Sequence, residues 1–179
     1  MGQIATLLST LKIHGRSPDH RILGHKYGAS DFEFSFADED AYYEYDSEAS
    51  LSAQLSMLVN RLFDARVAAQ QSIIEDSPRL QISEANHWDA RTREFRAERA
   101  KIYAAGISPR QYVEITSAGL KDIQVTVTNS AFDELNDSGF ISELEAAVSD
   151  LLHDWRDQVC ELKRKHLNFH APQLELPRR

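Results

Sequence analysis

Apolar and polar residues follow two rhythms along this chain, and the pair of rhythms comes round twice. Ile4, Leu7, Leu8 and Leu11 share one face of a helix predicted over 3–13, with Gly15 just past its end and Pro18 beyond. Phe32, Phe34 and Phe36 alternate with Glu33 and Ser35, the period of a half-buried strand. Residues 42–45 read as its partner strand across a turn at 37–40. A long helix capped by Ser50 follows, with Leu51, Leu55, Leu58, Leu62 and Ala69 as a stripe that Val59 and Phe63 widen. After a connector at 76–87 the order resumes. A helix carries Trp88, Phe95 and Ile102 and is closed by Gly106, with Pro109 beyond. A hairpin sets Val113 and Ile115 against Ile123, Val125 and Val127 around Gly119. Residues 129–139 read as a loop or short helical turn. Ile141, Leu144, Val148, Leu151, Trp155, Val159 and Leu162 then stripe a last long helix, and 168–179 read as a flexible tail.

Displacing the chain by 91 residues lays Gly15, Ser17 and Pro18 on Gly106, Ser108 and Pro109, and Gly28 on Gly119. It also lays Phe32, Phe34 and Phe36 on Ile123, Val125 and Val127. A displacement of 93 lays Leu51, Leu55, Leu58 and Leu62 on Leu144, Val148, Leu151 and Trp155, with the two extra residues in the preceding loop. Leu7 and Leu8 fall on Glu98 and Arg99, so the first helices match least. The expected fold is α+β: two tandem α-β-β-(β)-α units, at 1–75 and 88–167, with antiparallel sheets and long amphipathic helices. Each unit has a sheet face and a helix stripe too small to bury alone. Two units packed about a pseudo-two-fold axis would seal both within one chain, an intrachain pseudo-dimer.

Composition narrows the function classes. The 179 residues are 42% hydrophobic and 27% charged, as in ordinary globular chains. No apolar run approaches the ~20 residues that span a bilayer, so no membrane role is expected. The N-terminus lacks a secretory leader pattern, although Met1, Gly2 and Thr6 match a short myristoylation pattern that recurs by chance. The single cysteine, Cys160, excludes an internal disulfide, fits a cytoplasmic location, and on its apolar stripe reads as a core residue. The net charge of −8 repels nucleic acid at long range, so any phosphate contact must come from local patches.

The stretch "GISPRQYVEITSAGLKDIQVTVTNSAF", followed by "ISELEAAVSDLLHDWRDQV", resembles the YbaB/EbfC family of nucleoid-associated proteins. Many relatives write Ser-Pro-Asp-Gly before the first strand. Ser17-Pro18-Asp19 keeps three of these with His20 in the Gly place, and Ser108-Pro109 keeps two before Arg110 and Gln111. The family's Ile-Asp-Pro after its last strand is replaced by Thr128-Asn129-Ser130. The resemblance implies an α-β-β-β-α fold that dimerises, binds DNA with little sequence preference and has no enzymatic activity. It implies as an alternative a protein-interaction accessory or chaperone-like factor, as in type VII secretion clusters.

Two basic clusters are the candidate nucleic-acid contacts. Arg91, Arg93, Arg96, Arg99 and Lys101 lie on the helix before the second hairpin, with Arg93, Arg96 and Lys101 pointing away from Phe95. They read either as a phosphate-contacting edge or as a solvated face paired with Glu94 and Glu98. Lys163, Arg164 and Lys165 follow the last apolar residues of the final helix, where cations also complement the helix dipole. The acidic run "ADEDAYYEYDSE" reads as a charged hairpin or as a site for a basic partner. The seven histidines show no metal-ligand spacing, and no nucleophile elbow or phosphate-cradling glycine loop occurs. No cofactor or metal is expected. The partners expected are DNA, or a protein engaging hairpin edges or helix faces, by a monomeric pseudo-dimer or a homodimer.

Overall fold

The computed structural model describes residues 10–28, 31–75, 90–128 and 130–167. The predicted helix at 3–9, the connector and the tail lie outside the described residues. Two three-stranded antiparallel sheets form, each followed by a long helix. The first holds β1 (Lys12–Arg16), β2 (Ile22–Tyr27) and β3 (Asp31–Phe36), followed by α1 (Glu48–Glu75). Next come α2 (Ala90–Arg99), then β4 (Tyr103–Ile107), β5 (Val113–Ala118) and β6 (Lys121–Val127) as the second sheet. A short α3 (Ala131–Glu134) and α4 (Asp137–Leu167) complete the described chain.

The displacement of 91 holds at the level of hydrogen bonds. Lys12 pairs with Tyr27 and Ile22 with Phe36, while Tyr103 pairs with Ala118 and Val113 with Val127. Ser17 N–H donates to Ile22 O, and Ser17 Oγ accepts the Ile22 N–H, both at 2.9 Å. Ser108 repeats this with Val113 at 2.9 and 3.0 Å. Each serine is buried and closes the turn that Gly-x-Ser-Pro writes. Each turn also places a residue in the left-handed region, His20 at φ 64° and Gln111 at φ 63°.

Several local readings are corrected. Residues 12–16 form an edge strand, and Gly15 lies inside it, paired with Gly24. Gly106 likewise lies inside β4, because the second-unit helix ends at Arg99. Pairing with β2 and β5 overrides the local helical spacing at these residues. The true partner of β3 is β2. Residues 42–45 instead turn the chain into α1, through Tyr43 N–H to Asp40 O at 2.9 Å. Ser47 Oγ, at 3.2 Å from the Ser50 N–H, caps α1 in place of Ser50.

The long helices tie the two units together. Ser52, Ser56 and Asn60 of α1 accept the N–H groups of Val127, Val125 and Ile123 in β6, each at 2.9 Å. Four residues of helix rise about 6 Å and two residues of strand about 6.7 Å, so the two rows stay in step. On the opposite side Glu145 Oε1 of α4 accepts the Phe34 N–H of β3 at 3.0 Å. The leucines of α1, the Leu144–Leu151 face of α4 and the inner residues of both sheets form a single buried apolar cluster. Tyr42 lies inside it, against Phe36, Phe132 and Phe140, with its hydroxyl donated to Ala131 O at 3.1 Å.

Candidate nucleic-acid interface

α2 is too polar to be buried and rests on the core through Phe95, against the final turns of α4. Arg91, Arg93, Arg96 and Lys101 are exposed, as are Lys163, Arg164 and Lys165 on α4. The two clusters, some sixty residues apart in the chain, therefore meet. Lys101, Arg164 and Lys165 line one open-sided cleft of about 760 Å³, together with Glu98, Tyr103 and Gln158. Tyr103 is 63% exposed there, and its carbonyl accepts Gln158 Nε2 at 2.9 Å.

Not every predicted cation is available. Lys165 Nζ lies 2.9 Å from Glu98 Oε2, with His166 Nε2 at 3.1 Å from the same oxygen. The Lys165 hydrogen bond, with help from His166, holds the Glu98 carboxyl below its ordinary range. Arg99 is drawn back over the Trp155 ring, 5.0 Å from its centroid. Arg93, Arg96, Lys101, Lys163 and Arg164 make no ion pair among the described residues. Cys160, read as core, is exposed beside buried Val159, one position around the helix. His14 and His25, on neighbouring strands, bring their Nδ1 atoms within 2.5 Å. No cluster of three or more metal-ligating side chains forms among the described residues.

A second group of cations has no signature along the chain. Lys26 of β2 is 1% exposed, with Nζ 4.3 Å from the Phe32 ring. Burial, then the charges of Arg66 and Arg156 against the pull of Asp31, lowers its pKa from 10.5 to about 8. Burial, with Arg156 and Arg99, also lowers the half-buried Arg66. These four residues come from β2, α1, α2 and α4, so only the fold assembles them.

Lys26 makes stability depend on pH. Below about pH 8 it is charged whether the chain is folded or not, and the folded state bears the cost of burying that charge. Above that, the folded Lys26 is neutral while the unfolded one still holds its proton, up to 10.5. Stability from this group therefore rises by about 2–3 kcal/mol between pH 7.5 and 10. Higher pH turns against folding, because burial raises the Tyr42 and Tyr45 phenols. Urea midpoints at pH 7.5, 9 and 10 should climb in the native chain and stay flat in Lys26→Met. An equal climb in both would contradict this.

The fold and these surfaces define a tandem-repeat α+β protein whose two units share one core. No protein-family model, characterised protein or solved structure matches the chain. No described helix is long and apolar enough to cross a membrane.

Proposed function

We propose that this chain is a non-enzymatic, YbaB-like binding protein of the cytoplasm that associates with DNA with little sequence preference. The contacts are Arg93 and Arg96 on α2, Lys101 just past it, and Lys163 and Arg164 at the end of α4. The observation that carries the reading is the meeting of Lys101 with Arg164 along one cleft. A run of unpaired cations on adjoining helices suits phosphates, whose contacts position a protein without reading bases. The left-handed His20, where relatives write glycine, supports the family reading. The two Ser-Pro serines are bound into turns, which favours a binding role over nucleophilic catalysis.

A gel shift with unrelated DNA duplexes over a range of salt tests this. Five unpaired cations predict that log affinity falls against log salt with a slope of about −4 to −5. Replacing Arg93, Arg96 and Lys101 by Ala should weaken every duplex alike and flatten that slope by about 2–3. No binding at low salt, or binding indifferent to salt, would overturn the reading.

One observation favours the protein-interaction alternative. Tyr103 and Ile107, 63% and 49% exposed, stand on one face of β4. The neighbouring edges are already occupied. Asp150 and Asp154 take the N–H groups of Ile107 and Ala105 at 3.0 and 2.9 Å, and α1 takes those of β6. A partner would therefore meet this face rather than add a strand.

A further inference from the structure

Of the six tyrosines, Tyr103 alone has neither a ring partner nor a hydroxyl partner among the described residues. Tyr42 is packed in the core, and Tyr43 stands edge-on to it. Tyr27 lies under Lys12 and beside His25. Tyr45 donates to Asp19, and Tyr112 to Glu134. Comparison of the two units shows how the Tyr103 ring is left bare. Under the displacement of 91 it corresponds to Lys12, whose Nζ lies 5.7 Å from the centre of the Tyr27 ring across the strand pair. Tyr103 faces Ala118 in the same register, and a methyl group is too small to cover a phenol. The first unit folds without an aromatic at this place, so the repeat does not require one.

The backbone beneath the ring is held from both sides. β5 pairs with Tyr103 through Ala118, and Gln158 of α4 donates to Tyr103 O while the Asp154 carboxylate holds its amide at 3.1 Å. The bonds from Asp154 and Asp150 to Ala105 and Ile107 continue this seal along β4. The ring therefore stands on a fixed strand, and a ligand that meets it has little backbone to order. Lys101, two positions earlier, and Arg164, on α4, line the same cleft, and neither makes an ion pair among the described residues. Ile102 and Leu162 add apolar wall. The cleft volume of about 760 Å³ lies within the ~300–1,000 Å³ that bound small molecules fill. Two carboxylates share the lining: Glu98, bound by Lys165 and His166, and Glu161, which is unpaired among the described residues.

The geometry points to a single-stranded DNA site in this cleft, with one unpaired base stacked on Tyr103 and the flanking phosphates on Lys101 and Arg164. The site rests on the DNA reading for its cations and adds the ring to them. Charge complementarity selects the occupant: an aromatic platform between unpaired cations suits a polyanion that carries flat rings. In a duplex each base is already stacked and shows only its edges in the grooves, so the ring has no face to meet. An unpaired base offers a face whatever its identity, in keeping with little sequence preference. Glu161 opposes a phosphate at the same place, and its removal acts in the favourable direction.

Fluorescence anisotropy of labelled oligo-dT, and of a blunt duplex of the same length, tests this at one low salt concentration. Tyr103→Leu should weaken oligo-dT binding about tenfold, the loss of one stacked base, and leave the duplex affinity within about twofold. Tyr103→Phe keeps the ring face and should bind oligo-dT like the parent. Glu161→Gln should tighten oligo-dT binding about threefold. Tyr103 packs on nothing that folding needs, so Tyr103→Leu should keep the parent melting temperature, and its loss of binding is not unfolding. Absent oligo-dT binding, an undiminished affinity in Tyr103→Leu, a loss shared by the duplex, a tenfold loss in Tyr103→Phe, or weaker binding in Glu161→Gln would overturn the site. The duplex reading fails separately: oligo-dT binding that depends on Tyr103, beside a duplex that does not bind, would uphold the stacking site and sink that reading.

Discussion

Gly106→Ala destabilises the protein by about 3 kcal/mol, whereas the same change at its repeat counterpart, Gly15→Ala, costs about 1 kcal/mol or less. A Cβ on Gly106 would stand 2.2 Å from Ala147 O and 2.3 Å from Leu151 N, backbone atoms of α4 that no rotamer change can move. The strand and helix must separate, and the contacts of Leu151 and Val148 loosen with them. A Cβ on Gly15 meets Leu62 Cδ2 at 2.9 Å and Leu58 Cδ1 at 3.2 Å, the free ends of side chains that can turn aside. Urea unfolding of both variants checks the contrast, and equal losses would show that α4 lies no closer to β4 than α1 does to β1.

Tyr42→Ala removes about 4–5 kcal/mol, a large fraction of the roughly 5–15 kcal/mol that holds a folded protein. Tyr42 is fully buried, its ring packs on Phe132 and Phe140 of the second unit, and its hydroxyl satisfies Ala131 O. The substitution leaves a cavity at the junction of the units and strips Ala131 O of its second hydrogen bond, leaving it only the Leu135 N–H at 3.0 Å. Tyr42→Phe keeps the ring and should cost only about 1 kcal/mol. Similar losses for the two variants, measured by urea unfolding, would place the stabilisation in the hydroxyl rather than in packing between units.

The long-range pattern along the chain proved a better guide than its local punctuation. The 91-residue displacement carries the register of one sheet onto the other, because cross-strand pairing is fixed by side-chain period and turn length, both of which the repeat preserves. The stripes of α1 and α4 were legible because long periodic segments bury one face. Gly15 and Gly106 misled because glycine closes helices and also admits a close neighbour, and only the packed helix decides which. Tyr42 to Tyr45 carry strand propensity, but Tyr42 is claimed by the core. The basic run on α2 could be read directly, yet its meeting with Lys163 to Lys165 depends on helix packing. Lys26, Arg66 and Arg156 gave no signal, since they stand on three different elements and none belongs to a basic run. Comparing copies would have marked all three as departures from the repeat.

The central claim is that two copies of one unit form a single cooperative core, stitched by α1 on β6 and α4 on β3. Native-state hydrogen exchange of the intact chain in increasing urea tests it most directly, read at Gly24 in β2 and Ile115 in β5. Both amides should open with the same free energy and the same urea dependence, and both should lose equal protection in Tyr42→Phe. Protection that persists in one sheet after the other has exchanged, or a Tyr42→Phe loss confined to the first sheet, would contradict it.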